Sequence, residues 1–303
     1  MPDIRNEGKS FDGGKEPEAG DGFQSKWTLS IVAIVKNEKE YLLEWLAHYR
    51  CLGVDYFYIA DNGSDDGTFE LLQDLEKSGV LTLADWPLKE KAQHRWYNHA
   101  LEEYGAESCY MGFVDADEFI GLSENACLKS KVSDLLAHDD VGALACEWRL
   151  YGSSGHERRT SGLVIERFVR AGRSERQVNR HVKSIVKPCA VERMWAHSAD
   201  LKHGYHYVSS SGGEVAFKQN SPQSGRSASV LPELIVVRHY ATKSLQEYVE
   251  KKQRKGRANM GPSHERPAAY FKNHDFNDIE APFSGEWVHR VRNEMVALRS
   301  LLR

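Results

Sequence analysis

Asp115 and Asp117 flank one small residue, Ala116, directly after an apolar run that ends at Val114. Two carboxylates at this spacing can approach a hard divalent cation that also bridges phosphate oxygens, so the pattern suits Mn2+ or Mg2+ and a diphosphate-linked substrate. Such a triplet taken alone is also the pattern of a solvated turn or a helix cap. Its place at the end of an apolar strand, ahead of Glu118, Phe119 and Ile120, makes it more specific. A second polar cluster runs from Asp61 to Thr68 through Asn62, Gly63, Ser64, Asp65, Asp66 and Gly67. There Asp61 can accept hydrogen bonds from a base or ribose, while Asp65 or Asp66 caps the helix that follows. Lys36 and Asn37 close an earlier apolar run, where they read either as nucleotide contacts or as an ordinary solvated loop.

The elements that must position these groups follow from periodicity. Residues 28–35 form a short β-branched run that breaks at Lys36, as a buried parallel strand does at its loop. Residues 41–51 carry Leu42, Leu43, Trp45, Leu46 and Tyr49 at helical spacing, with Gly53 as the stop. Strands are predicted at 56–60, 80–84 and 110–114, and helices at 69–77 and 93–104. Further strands are predicted at 141–149, 181–187 and 234–240 before a helix at 244–255, and residues 188–232 read as irregular. This alternation predicts an α/β fold with a mainly parallel, Rossmann-like sheet flanked by helices, whose ligands lie outside the carboxyl ends of the strands. Trp45, Tyr49 and Trp96 sit at core positions, whereas Trp148 and Trp195 stand beside polar loops where an acceptor could pack.

A chain of 303 residues with 41% hydrophobic residues supports one main domain, placed at 27–260. Residues 1–26 have little to bury and read as a flexible tail, and 261–303 as a C-terminal helical extension. A formal net charge of -4 leaves no basic excess for gripping nucleic acid. Five widely spaced cysteines with no C-x-x-C pair read as reduced thiols, and no apolar run reaches membrane-spanning length. The expectation is a cytoplasmic protein. The basic run at 251–257 is either a solvated helix face or a means of peripheral association with the inner face of a membrane.

Three segments together resemble a glycosyltransferase family two protein, and more narrowly the branch similar to glycosyltransferase family ninety-two. They are Ile34 to Glu38, Ala60 to Thr68, and Asp115 to Phe119; weaker likeness extends through 148–156, 181–188 and 238–244. The resemblance implies a GT-A type fold that takes a nucleotide-diphosphate sugar, a UDP-sugar being favoured. It places Asp61 near the nucleoside, Asp115 and Asp117 at the ribose and the metal-bound diphosphate, and His239 as a late metal ligand. It also implies sugar transfer to a glycan, glycolipid or glycoprotein acceptor, with inversion, in a setting such as bacterial surface-polysaccharide assembly. A carboxylate must take the acceptor proton, and Glu166 matches the stretch in which many inverting enzymes of this fold carry it; Glu147 and Asp200 are alternatives. Lys183 and Lys187 are candidates for neutralising phosphate, and the loop Gly152 to His156 for approaching sugar or acceptor. Two other readings remain: a haloacid-dehalogenase-like phosphatase with Asp115 as nucleophile, and a degenerate transferase retained as a nucleotide- or carbohydrate-binding module.

Overall fold

The computed structural model describes residues 25–122, 126–253 and 268–302. The expected N-terminal tail, apart from residues 25 and 26, lies outside the described residues, as does most of the basic run at 251–257. The chain begins with β1 (Trp27–Val35), α1 (Lys39–Cys51), β2 (Tyr56–Asp61), α2 (Thr68–Lys77), β3 (Leu81–Asp85), α3 (Ala92–Tyr104) and β4 (Ser108–Phe113). It continues through β5 (Glu118–Leu122), α4 (Leu128–Leu135), β6 (Val141–Leu150), α5 (Val164–Arg167), β7 (Arg170–Ala171) and β8 (Val182–Val186). The last part holds β9 (Val191–Met194), β10 (Ala199–Leu201), β11 (His206–Val208), β12 (Ile235–His239), α6 (Leu245–Glu247), α7 (Ala268–His274), β13 (Ile279–Glu280) and α8 (Gly285–Leu301).

Nine strands form the central sheet in the order β3-β2-β1-β4-β8-β6-β12-β5, with β11 beside β6. The pairs β1/β2, β1/β4, β2/β3, β6/β12 and β6/β11 are parallel, so the sheet is mainly parallel as expected. β8 enters antiparallel between β4 and β6, and β5 closes the far edge antiparallel to β12. Both faces of β1 are buried: Leu29, Ile31, Ala33 and Val35 join the core under α1, while Val32 joins the core under α3. This explains why its sequence is a near-continuous apolar run. Trp45 and Tyr49 on α1 and Trp96 on α3 are fully buried, as their helical spacing predicts. Gly53, at φ +91, turns the chain out of α1 in a conformation that a side chain resists.

Three differences from the sequence expectations have physical causes. β5 was not predicted, because it begins inside the carboxylate cluster, with Glu118 buried as a strand residue. The irregular stretch 188–232 contains three short strands, β9 to β11, too brief to show a period. The predicted helix at 244–255 is a three-residue α-helical turn capped by Ser244, followed by a π-helical turn over Tyr248–Gln253. The C-terminal extension is packed on the main core: α8 buries Val291, Met295 and Leu298 there. Its Trp287 donates its indole N–H to His48 of α1 at 3.1 Å.

Candidate active site

The carboxylates occupy the tight turn between β4 and β5, closed by the Glu118 amide donating to the Asp115 carbonyl at 3.1 Å. α1 braces that turn from beneath. The Trp45 indole N–H donates to the carbonyls of Asp115 (3.1 Å) and Glu118 (3.0 Å), and the Tyr49 hydroxyl also donates to the Glu118 carbonyl (3.1 Å). Side chains of other elements then fix the acids. Asp115 Oδ1 accepts from Gln93 Nε2 at 2.6 Å and from the Tyr97 hydroxyl at 3.2 Å, both on α3. Asp115 Oδ2 lies 3.1 Å from Lys183 Nζ, which is 3.5 Å from Glu118 Oε2. The Asp115 amide donates to Glu118 Oε2 at 2.8 Å. Three carboxylates within four residues repel one another, and Lys183 is the buried counter-charge. Burial works against its positive charge, but Asp115 and Glu118 outweigh that and hold its pKa above the ordinary lysine value.

Asp117 is placed from the other side. Its carbonyl accepts from the Tyr240 amide at 2.9 Å, and its Oδ2 lies 3.6 Å from His239 Nε2 at the end of β12. The register of β12 on β5 sets His239 opposite Glu118, so His239 and the carboxylate turn are brought together as expected. Against the His239 ring, at 4.3 Å between centroids, lies Trp148 of β6, which also contacts His181 (5.0 Å) and His197 (4.9 Å). Burial depresses the pKa of His181 and, helped by the nearby Lys183 charge, that of His197, so both imidazoles are neutral near pH 7. Gly225 makes room for His197, since a Cβ there would meet the His197 Cβ at 2.5 Å.

On the same sheet edge, Asp61 ends β2. Its Oδ2 accepts from the Ser64 amide at 2.8 Å, while its buried Oδ1 has no hydrogen-bond partner. A buried acceptor of this kind fits a ligand donor such as a base N–H or a ribose hydroxyl. The loops after β1 and β2 are clamped together around it. The Asn37 amide donates to Ser64 Oγ (2.9 Å), that of Glu38 to Thr68 Oγ1 (2.9 Å) and that of Lys39 to Asp66 Oδ2 (3.2 Å). Asn37 joins this clamp through its side chain. Its Nδ2 donates to Asp65 Oδ1 at 2.7 Å and its Oδ1 accepts from the Asp65 amide at 2.9 Å, which holds the loop in shape. Lys36 lies half-buried at the end of β1. Asp66 also caps the turn into α2, accepting from the Thr68 amide at 3.0 Å.

Glu166 is not gathered into this group. Its carboxylate accepts from the Leu163 amide at 2.9 Å and pairs with Arg292 of α8. Burial alone would raise its pKa, but the Arg292 guanidinium and the Leu163 amide hold it below the ordinary glutamate value. A carboxylate paired in this way is a weak proton acceptor. Of the alternatives, Glu147 is buried on β6 with its oxygens accepting from Ser227 Oγ (2.9 Å) and the Leu231 amide (3.0 Å). Asp200 accepts from the Trp195 indole at 3.0 Å. Of the two lysines considered for phosphate, Lys183 is 1% exposed against the carboxylates, and the half-buried Lys187 donates to the His138 carbonyl. The Gly152 to His156 loop is pinned through Ser153 to Asp275 and through Ser154 to Asn277. Gln93, Tyr97, Glu118 and the His181/His197 pair were not legible as site residues, because nothing in their local sequence marks them.

Among the described residues, no group of three or more His, Cys, Asp or Glu side chains is arranged to hold a metal ion. Asp117 and His239 make a two-ligand set. That fits a divalent cation which takes its remaining ligands from substrate phosphates and water. All five cysteines are free. No helix among the described residues is long and apolar enough to cross a membrane.

A mainly parallel α/β sheet of this kind belongs to the class of open α/β folds whose ligands bind outside the carboxyl ends of the strands. Within it, the family description of glycosyltransferase family 92 matches residues 28–270, and the chain belongs to that family. It is 28% identical over 204 residues to a glycosyltransferase family 92 protein of Oryza sativa subsp. japonica, covering 64% of this chain and 34% of that protein. It is 32% identical over 198 residues to a family 92 protein of Arabidopsis thaliana, covering 61% and 33%. The chain thus spans about a third of the length of these relatives. Among solved structures it is similar to S. aureus TarS in complex with UDP-GlcNAc, with a TM-score of 0.34 and 17% identity, over 54% of this chain and 46% of that one. It is also similar to glucosyl-3-phosphoglycerate synthase from Mycobacterium tuberculosis in complex with Mn2+, UDP and glucosyl-3-phosphoglycerate. There the TM-score is 0.28 and the identity 19%, over 41% of this chain and 44% of that one.

Proposed function

We propose that the chain transfers a sugar from a nucleotide-diphosphate sugar, a UDP-sugar in the first instance, to a glycan or glycoconjugate acceptor, with inversion at the anomeric carbon. The observation that carries this reading is the shared sheet edge. Asp61 offers a buried, unfilled acceptor at one point, and Asp117 with His239 offers a cation-binding pair at another. Family membership supports glycosyl transfer. Asp61 would take the nucleoside, and Asp115, gripped by α3 and Lys183, would face the ribose end of the diphosphate. Asp117 and His239 would hold Mn2+ or Mg2+, whose role is to neutralise the departing diphosphate. Trp148, with its flanking imidazoles, would form the wall beside the sugar.

The phosphatase reading has less support than glycosyl transfer. Membership of a glycosyltransferase family favours sugar transfer over an aspartyl-phosphate route at Asp115. The test is calorimetric binding of UDP, GDP and their sugar conjugates with and without Mn2+, paired with nucleotide release from each conjugate. Binding that needs Mn2+, with turnover lowered about 1000-fold in Asp117→Ala, is expected from the loss of several kcal/mol of charge stabilisation. Well-folded protein that binds none of these nucleotides would sink the reading. Binding without turnover would leave a carbohydrate- or nucleotide-binding module.

A further inference from the structure

Lys183 is 1% exposed, so it reaches neither substrate nor water, and its surroundings account for all of its bonding capacity. An ammonium group has three donors and no acceptor. Here Nζ lies 3.1 Å from Asp115 Oδ2 and 3.5 Å from Glu118 Oε2, and it donates to the Ala196 carbonyl at 2.9 Å. The first two contacts balance charge in the carboxylate turn. The third does something that charge balance does not require. Ala196 belongs to the turn joining β9 to β10, closed by the Trp195 amide donating to the Ser198 carbonyl at 2.8 Å. That turn carries His197, whose ring packs on Trp148, and Trp148 packs on His239. One buried ammonium therefore joins the carboxylate turn to the loop that borders the same edge. Asp115 is meanwhile gripped from opposite sides, by α3 at Oδ1 and by Lys183 of β8 at Oδ2.

We propose that Lys183 is a positioning residue: it fixes the Asp115 carboxylate for the donor ribose and couples donor binding to the order of the turn at residues 195–198. The proposal rests on the transferase reading above. If it holds, filling the donor site stiffens that turn through Lys183, and an enzyme without the lysine binds donor but does not transmit the event. A mere counter-charge would be replaceable by removing one opposite charge along with it.

That contrast sets the experiment, in which Lys183→Met/Glu118→Gln removes the ammonium together with the more deeply buried of its two acidic partners. Hydrogen exchange over residues 191–201 is followed with and without UDP and Mn2+, alongside nucleotide release from the UDP-sugar. In the wild type, UDP with Mn2+ is expected to slow exchange over this segment about threefold or more. In the double variant that protection should disappear and turnover should fall about 100-fold, the scale of a small misplacement at a reacting centre. Wild-type protection and turnover in the double variant would overturn the proposal and leave the transferase reading intact. Failure of the wild type to bind UDP under any metal condition would remove that reading and the proposal with it. If the double variant does not fold, Lys183→Arg keeps the charge but replaces three diverging donors by a planar fork. It should show the same two losses, and wild-type behaviour there would equally overturn the proposal.

Discussion

The loops after β1 and β2 and the carboxylate turn share one sheet edge but are assembled over different ranges. The loops after β1 and β2 bond each other through Asn37, Glu38 and Lys39, with partners 27 to 30 residues away inside a single strand-helix-strand unit. The carboxylate turn is held by Trp45 and Tyr49 from 69 to 73 residues before it, by Gln93 and Tyr97 on α3, and by Lys183 and His239 from late strands. A local unit fixes its own geometry, whereas the turn is correct only once most of the sheet is correct. Changes on the nucleoside side should therefore act on binding alone, and changes in the bracing of the turn on turnover.

Asp61→Asn gives the largest effect of this pair. The amide oxygen can still accept from the Ser64 N–H, while an NH2 group replaces the unfilled Oδ1 and confronts the ligand donor. Loss of one charged hydrogen bond weakens UDP binding by about 10- to 100-fold. Thermal stability and the kcat of the saturated enzyme should stay close to wild type, measured by melting and by nucleotide release. A kcat that fell as far as the affinity would erase the distinction between the two regions.

The same distinction governs what could be read from sequence. Asp61 and the Asp115/Asp117 pair were legible because each ends an apolar strand in a strand-helix alternation, and such ends fall on one sheet edge wherever the strands are parallel. His239 was legible as a polar residue closing an apolar run. β5 was not, since its first residue, Glu118, is also part of the acidic cluster and its burial depends on the distant Lys183. Lys183 itself read as a phosphate ligand, because lysines at strand positions usually face solvent or anions, and only the antiparallel insertion of β8 beside β4 turns it on the carboxylates. The part Asn37 plays in shaping the loop was not legible, because its bonds to Asp65 depend on a backbone at φ 56 that composition does not announce.

Trp45→Phe sharpens the comparison from the other side. It keeps the apolar bulk that α1 buries but deletes the N–H shared by the Asp115 and Glu118 carbonyls. Stability should fall by about 1–3 kcal/mol, the cost of leaving buried acceptors unfilled. Turnover should drop about 10-fold as the turn loosens, with UDP affinity within about threefold of wild type, because the clamp between the first two loops does not involve Trp45. An affinity loss larger than the turnover loss would mean that the two regions are built as one.

Glu166→Gln should produce the smallest change, and it tests the boundary of the site. The pair with Arg292 is partly exposed, the side chains being 30% and 50% accessible, so its removal costs less than about 1 kcal/mol. The folded pKa of Glu166 lies below its ordinary value, so this contribution is present above the unfolded pKa, near 4.3, and is lost as pH falls through the folded one. Wild-type and variant melting temperatures should thus differ slightly at pH 7 and converge on acidification below about pH 4. Turnover should stay within about threefold of wild type, since a carboxylate tied to Arg292 and the Leu163 amide has little capacity to accept a proton. A fall of about 100-fold or more at unchanged stability would return Glu166 to the role of base.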